Sequence, residues 1–142
     1  MAQITHGRHE AQDIIGDQGS KGPENETTAD AAPVLQQEAA DLHARFFRAL
    51  GDPTRIRILH LLMQAKSGEC SVGELVAALD APQSRVSTHL GCLRWCGLVQ
   101  TRREGKQVFY RVADQRVRDL VGLGGALLRD HAAGVASCGM VG

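Results

Sequence analysis

Aromatic side chains are scarce in this sequence: one Trp, one Tyr and three Phe among 142 residues. A core built from it must therefore be mostly aliphatic. No run of eighteen or more apolar residues is present, which excludes a membrane-spanning helix of the ordinary kind. The first residues, MAQITHGRHE, lack the apolar stretch of a signal peptide, so a cytoplasmic protein is expected. There is no Gly-rich phosphate loop and no HExxH, and the six histidines are scattered. Without a nucleophile, base and orienting group in sight, the expectation is not an enzyme, with no small-molecule substrate and no membrane partner. Formal net charge is also lacking, at zero.

That zero hides a division. Residues 1–41 carry two basic and eight acidic side chains, whereas 42–142 carry fourteen basic and eight acidic. Within 82–118 alone there are eight basic residues against Glu104 and Asp114. A concentrated basic segment is the electrostatic footprint of a phosphate binder.

Residues 1–33 hold hardly any large apolar side chain and read as a flexible N-terminal extension containing His6 and His9. From residue 34 to 132 the pattern is that of one compact domain. Leu35, Leu42, Phe46 and Leu50 mark a first helix that Gly51 ends. Asp52 caps a second helix with Pro53 at its first position, and Ile56, Ile58, Leu59, Leu61, Leu62 and Met63 make it largely buried. Ser71 and Glu74 form a capping box for a short third helix.

Asp80-Ala81-Pro82 turns into the stretch around which the rest is arranged, PQSRVSTHLGCLRWCG, with Pro82 at the first helical position. Val86, Leu90 and Leu93 give this helix an inward face. Gln83, Ser84, Arg85, Ser87, Thr88 and His89 supply groups that bond to base edges and phosphates. Trp95 reads as a packing residue. A short helix, a tight turn and a polar-headed second helix form a helix-turn-helix. Residues 98–103 and 107–112 are β-prone and flank Glu104-Gly105-Lys106, a hairpin whose basic tip (Arg102, Arg103, Lys106, with Gln107) reads as a wing on the DNA. Asp114 caps a last helix, and residues 133–142 read as a mobile tail carrying Cys138. The fold class is thus mainly α with a small β-hairpin, a winged helix-turn-helix.

Four cysteines remain, Cys70, Cys92, Cys96 and Cys138, read as thiols rather than disulfides. Cys92 and Cys96 stand one turn apart on a shared helix face. Two such thiolates reach one ion, and thiolate-only coordination favours soft metals. Arg94 or His89 nearby is expected to lower their pKa.

The segments LGDPTRIRIL (50–59), SRVSTHLGCLRWCGLV (84–99) and REGKQVFYRV (103–112) together resemble the ArsR/SmtB family of winged-helix metal-responsive repressors. The resemblance implies a homodimer joined through its first and last helices, double-stranded operator DNA as partner, and release by an inducer. One group of that family carries its cysteines in a motif like ELCVCDL; here ECSVGEL puts Ser71 and Gly73 at those places. A second uses an Asp-x-His and a later His on the last helix, where this chain has Arg116 and Leu127. The match is to the CmtR-like cadmium/lead group, with two cysteines on the recognition helix and a third near the C-terminus. It assigns Cys92, Cys96 and Cys138 to a soft metal ion: cadmium, lead or mercury, with arsenite also possible. The alternative is a redox or electrophile sensor using the Cys92–Cys96 pair, whose spacing is within disulfide reach.

Overall fold

The computed structural model describes residues 34–140. The extension over residues 1–33, with His6 and His9, lies outside the described residues. The elements are α1 (Gln37–Leu50), α2 (Pro53–Gln64), β1 (Cys70–Ser71), α3 (Val72–Leu79), α4 (Gln83–Trp95), β2 (Val99–Glu104), β3 (Gln107–Val112) and α5 (Gln115–Ser137).

Local chemistry sets most boundaries. The Asp52 carboxylate accepts from the Thr54 and Arg55 backbone N–H groups at 2.9 and 3.0 Å, satisfying two donors that α2 leaves free. The Ser71 hydroxyl accepts from Glu74 N–H at 3.2 Å, and the Glu74 carboxylate accepts from Ser71 N–H at 2.7 Å, closing the expected capping box on α3. Pro82 sits one place earlier than expected. It is the N-cap of α4, with an extended backbone at φ −57° and ψ 139°, and its carbonyl accepts from Val86 N–H at 3.1 Å. Gly97 closes α4 at φ +72°, donating to the Arg94 carbonyl while Leu98 N–H donates to Leu93. This paired pattern needs a left-handed residue at Gly97, and it buries Leu93 and Leu98 on the same side.

The hairpin pairs Val99 with Val112 through to Glu104 with Gln107, so the loop is Gly105-Lys106 alone and Glu104 belongs to the strand. Gly105 at φ +58° supplies the positive φ that a two-residue hairpin loop demands. A third strand was not foreseen from the sequence: Cys70 and Ser71 pair with Tyr110 and Phe109, giving an antiparallel sheet of order β1-β3-β2.

The core is aliphatic, as the aromatic scarcity requires. Ile58, Leu59 and Leu62 of α2, Leu75 and Leu79 of α3, and Val86, Leu90 and Leu93 of α4 meet Leu98, Val99 and Val112 of the hairpin and Val117 and Val121 of α5. Trp95 corrects the expectation of a packing role. It is 93% exposed, because the inward phase of α4 is taken by Val86, Leu90 and Leu93 and Trp95 falls on the opposite side. The last helix continues past residue 132, where the tail was expected to begin, through Ala132, Ala133, Val135 and Ala136 to Ser137, with an irregular backbone only at His131. Cys138 is its C-cap. Among the described residues no helix is long and apolar enough to cross a membrane.

Candidate nucleic-acid interface and thiol site

The packing of Val86, Leu90 and Leu93 fixes the rotation of α4, and that rotation presents Gln83, Ser84, Arg85, Ser87 and Thr88 to solvent. Thr88 is partly committed, since its hydroxyl donates to the Ser84 carbonyl at 2.9 Å. The wing tip comes close to the start of the same helix: Lys106, Gln107 and Val108 line a shallow groove with Gln83, Ser71, Val72 and Gly73. Helix α4 therefore offers an N-terminus and an arginine beside a loop lysine, an arrangement suited to phosphate and base edges.

Two of the expected DNA contacts face carboxylates of the chain itself. His89 is turned inward, its side chain 15% exposed and Nδ1 buried 3.6 Å from Asp52 Oδ1. It lies three residues after Val86 and four before Leu93, on the buried flank of α4, and so belongs to the scaffold. Arg102 is engaged by Glu69 and Glu104. Arg103, Lys106 and Gln107 are exposed, and neither Arg103 nor Lys106 has an ion-pair partner among the described residues.

The thiol pair is assembled at the far end of α4. Cys92 is half-buried and Cys96, the C-cap residue, is exposed. Cys96 N–H donates to the Cys92 carbonyl at 3.0 Å, so the two cysteines stand one turn apart at the end of the helix. The Cys96 thiol is pushed up, first by partial burial of its sulfur and then by the charge and hydrogen bond of Cys92. The cation that opposes this rise is Arg55, not the expected Arg94 or His89. Arg55 reaches there from the first turn of α2, where its guanidinium also donates to the Ala49 carbonyl and, at 2.9 Å, to the Arg48 carbonyl. Nothing in the sequence pattern alone pointed to Arg55, whose position depends on how α1, α2 and α4 meet.

Cys96 also lines a cleft with Phe46, Leu98, Asp114, Arg116, Val117 and Leu120. Cys138 is exposed, and among the described residues no group of three His, Cys, Asp or Glu side chains comes together as a metal site. Cys92 and Cys96 fit two-thirds of a soft-ion site, and a third thiolate is not gathered within one chain. Cys70 is half-buried in β1, its thiol raised by burial and by Glu74 and Glu69.

The sequence pattern described as "Bacterial regulatory protein, arsR family" matches residues 52–101, which run from the N-cap of α2 into β2. A probable mercury resistance operon repressor of Streptomyces lividans is 47% identical over 98 residues, covering 69% of this chain and 76% of that protein. The transcriptional regulator CmtR of Mycobacterium tuberculosis is 49% identical over 79 residues, covering 56% of this chain and 64% of CmtR, under two thirds of its length. Among solved structures, the homodimeric winged helix-turn-helix DNA-binding domain Mb0332 of Mycobacterium bovis superposes with a TM-score of 0.59 at 33% identity, covering 71% of this chain and 93% of that one.

Proposed function

This chain belongs to the arsR family of bacterial regulatory proteins, and from that footing we propose that it is a homodimeric operator-binding repressor released by a soft thiophilic ion: cadmium, lead, mercury or arsenite. The observation that carries the reading is the placing of Cys92 and Cys96 one turn apart at the end of the same helix that exposes Gln83, Ser84, Arg85, Ser87 and Thr88. A thiol pair and a reading surface on one rigid element make the position of that element sensitive to what the thiols hold.

Arg85 suits a guanine edge and Gln83 an adenine edge in the major groove, while Arg103, Lys106 and Gln107 on the wing serve the adjacent backbone. His89 faces Asp52 on the inner side of the helix and is withdrawn from the contact set. Cys92 and Cys96 supply two thiolates, and Cys138 at the end of α5 completes the set from the C-terminal segment of either subunit. A bound soft ion would supply strong sulfur coordination drawing that segment and the end of α4 together. A change of 1–3 kcal/mol in coupling already alters operator affinity about 5–150-fold. Dimerisation through α1 and α5 is supported by apolar side chains that the single chain leaves exposed: Leu42, Phe47, Leu123, Leu127 and Leu128. The printed name of one relative, a probable mercury resistance operon repressor, favours metal over other inducers.

The same thiol pair also serves the second reading, oxidation of Cys92 and Cys96 to a disulfide. Operator binding followed by fluorescence anisotropy separates the two. With reduced protein, a soft ion is expected to release the wild type but not Cys92→Ser or Cys96→Ser, with Cys138→Ser impaired. Release by oxidant but by no metal supports the redox reading. If the variants all respond like wild type, the inducer site lies away from the thiol pair.

A further inference from the structure

On one face of the sheet a single side chain reaches from one edge strand across to the other. Arg102 on β2 is paired with Phe109 on β3, which in turn is paired with Ser71 on β1. The Arg102 guanidinium carbon lies 4.8 Å from the centre of the Phe109 ring. Beyond that ring, Nε and Nη2 donate to the two carboxylate oxygens of Glu69, the residue just before β1. The remaining nitrogen, Nη1, donates to Glu104 at 2.7 Å. Strands β1 and β2 share no backbone ladder, because β3 stands between them. Arg102 is thus a side-chain tie between the wing and the point where the helix-turn-helix begins.

Single ion pairs at a protein surface contribute little, but a forked Arg–carboxylate contact within a network of charges is the exception. The face of Phe109 adds a cation–π contact. Offering Arg102 to a phosphate would dismantle all three interactions and leave two carboxylates unpaired beside polyanionic DNA. Successive strand residues point to opposite faces, so Arg103 stands away from the tie. It and Lys106 are exposed without ion-pair partners among the described residues.

We propose that Arg102 is a positioning residue that fastens the wing to the start of the helix-turn-helix through Glu69, Glu104 and Phe109, leaving the wing's phosphate contacts to Arg103 and Lys106. The inference rests on the operator-binding reading above. Replacing both partners, Glu69→Gln with Arg102→Gln, removes the tie while keeping net charge. In the full-length protein this double variant is expected to exchange its backbone amides over residues 99–112 faster than wild type. On an operator duplex it should bind roughly tenfold more weakly, about 1.4 kcal/mol, with the salt dependence of wild type. Arg103→Gln, present twice in a dimer, should instead make the log–log salt slope shallower by about 1.8. The exchanged pair, Glu69→Arg with Arg102→Glu, should restore slow exchange. An equal loss of slope in the double variant would overturn the proposal, since Arg102 would then be a phosphate contact. Unchanged wing exchange would overturn it too, and needs no DNA. Failure of wild type to bind any operator would sink the repressor reading, while the exchange measurement still decides the role of Arg102.

Discussion

At the start of α2, the Asp52 carboxylate accepts from two backbone N–H groups and faces the buried Nδ1 of His89. Burial works to raise its pKa, but those N–H groups and the charges of His89 and Arg55 hold it below the usual value. Asp52→Ala removes the cap and the one carboxylate paired with His89 among the described residues, so a loss of about 1–2 kcal/mol is expected in urea unfolding at neutral pH. Asp52→Asn keeps a capping oxygen and should lose less. If the two variants are equally stable, capping does not account for this position. Asp114 gives a pH signature. The Arg116 guanidinium and backbone N–H hold its carboxyl down to about 2, against 3.8 ordinarily. A depressed carboxyl stabilises the fold above its unfolded pKa, and that contribution fades as pH falls from about 4 toward 2. The urea midpoint of wild type should therefore drop across this window, with a smaller drop in Asp114→Asn. An identical pH profile in the two proteins would show that Asp114 contributes nothing there.

Among the elements, α4 is the one on which both halves of the proposed function converge, and its end is set by Gly97. A Cβ there meets no neighbour within 4 Å, so the obstacle to substitution is the positive φ and not crowding. Gly97→Ala is expected to cost about 1–2 kcal/mol and to disturb the adjacent Cys96, weakening soft-ion binding as well as lowering Tm. A lower Tm with unchanged ion affinity would show that the thiol geometry does not depend on this cap. Elements of this kind were readable in the sequence because their signals are local. Asp52-Pro53, Ser71 with Glu74, Gly97 and Gly105 each act on the backbone within a few residues. The two-residue strand β1 was not readable, since its only reason to exist is the backbone of β3 some forty residues later. The inward turn of His89 and the outward turn of Trp95 follow from helical phase relative to Val86, Leu90 and Leu93. The tie between Arg102 and Glu69 follows from the sheet order, which no local signal carries. The exposed polar face of α4 was therefore legible, while the partners of individual basic residues needed the fold.

For the molecule as a whole, the single chain is left with an unsatisfied side. Helix α1 buries only Ala49, and α5 buries only Val117 and Val121. Leu123 and Leu127 are 64% and 63% exposed, and Leu42 is 68% exposed. Isolated exposed leucines are ordinary, but several together on the first and last helices are of the kind that marks an interface. Between α1, α2 and α5 an apolar groove is lined by Phe47, Leu50, Ile56, Leu120, Val121 and Leu128. A second copy is the occupant that the homodimeric Mycobacterium bovis domain suggests. Two-fold pairing would set two α4 helices to read half-sites one turn of DNA apart. The second half-site is then bound at the effective concentration imposed by the first, a gain of about 10²–10⁴ in avidity. Leu123→Glu combined with Leu127→Glu places charge in that face without touching the core. Sedimentation should show a monomer, and operator affinity should fall by about 100-fold or more while the thiols stay intact. A monomer that binds the full operator as tightly as wild type would mean that the two reading helices act independently, and the third thiolate would then have to come from the same chain.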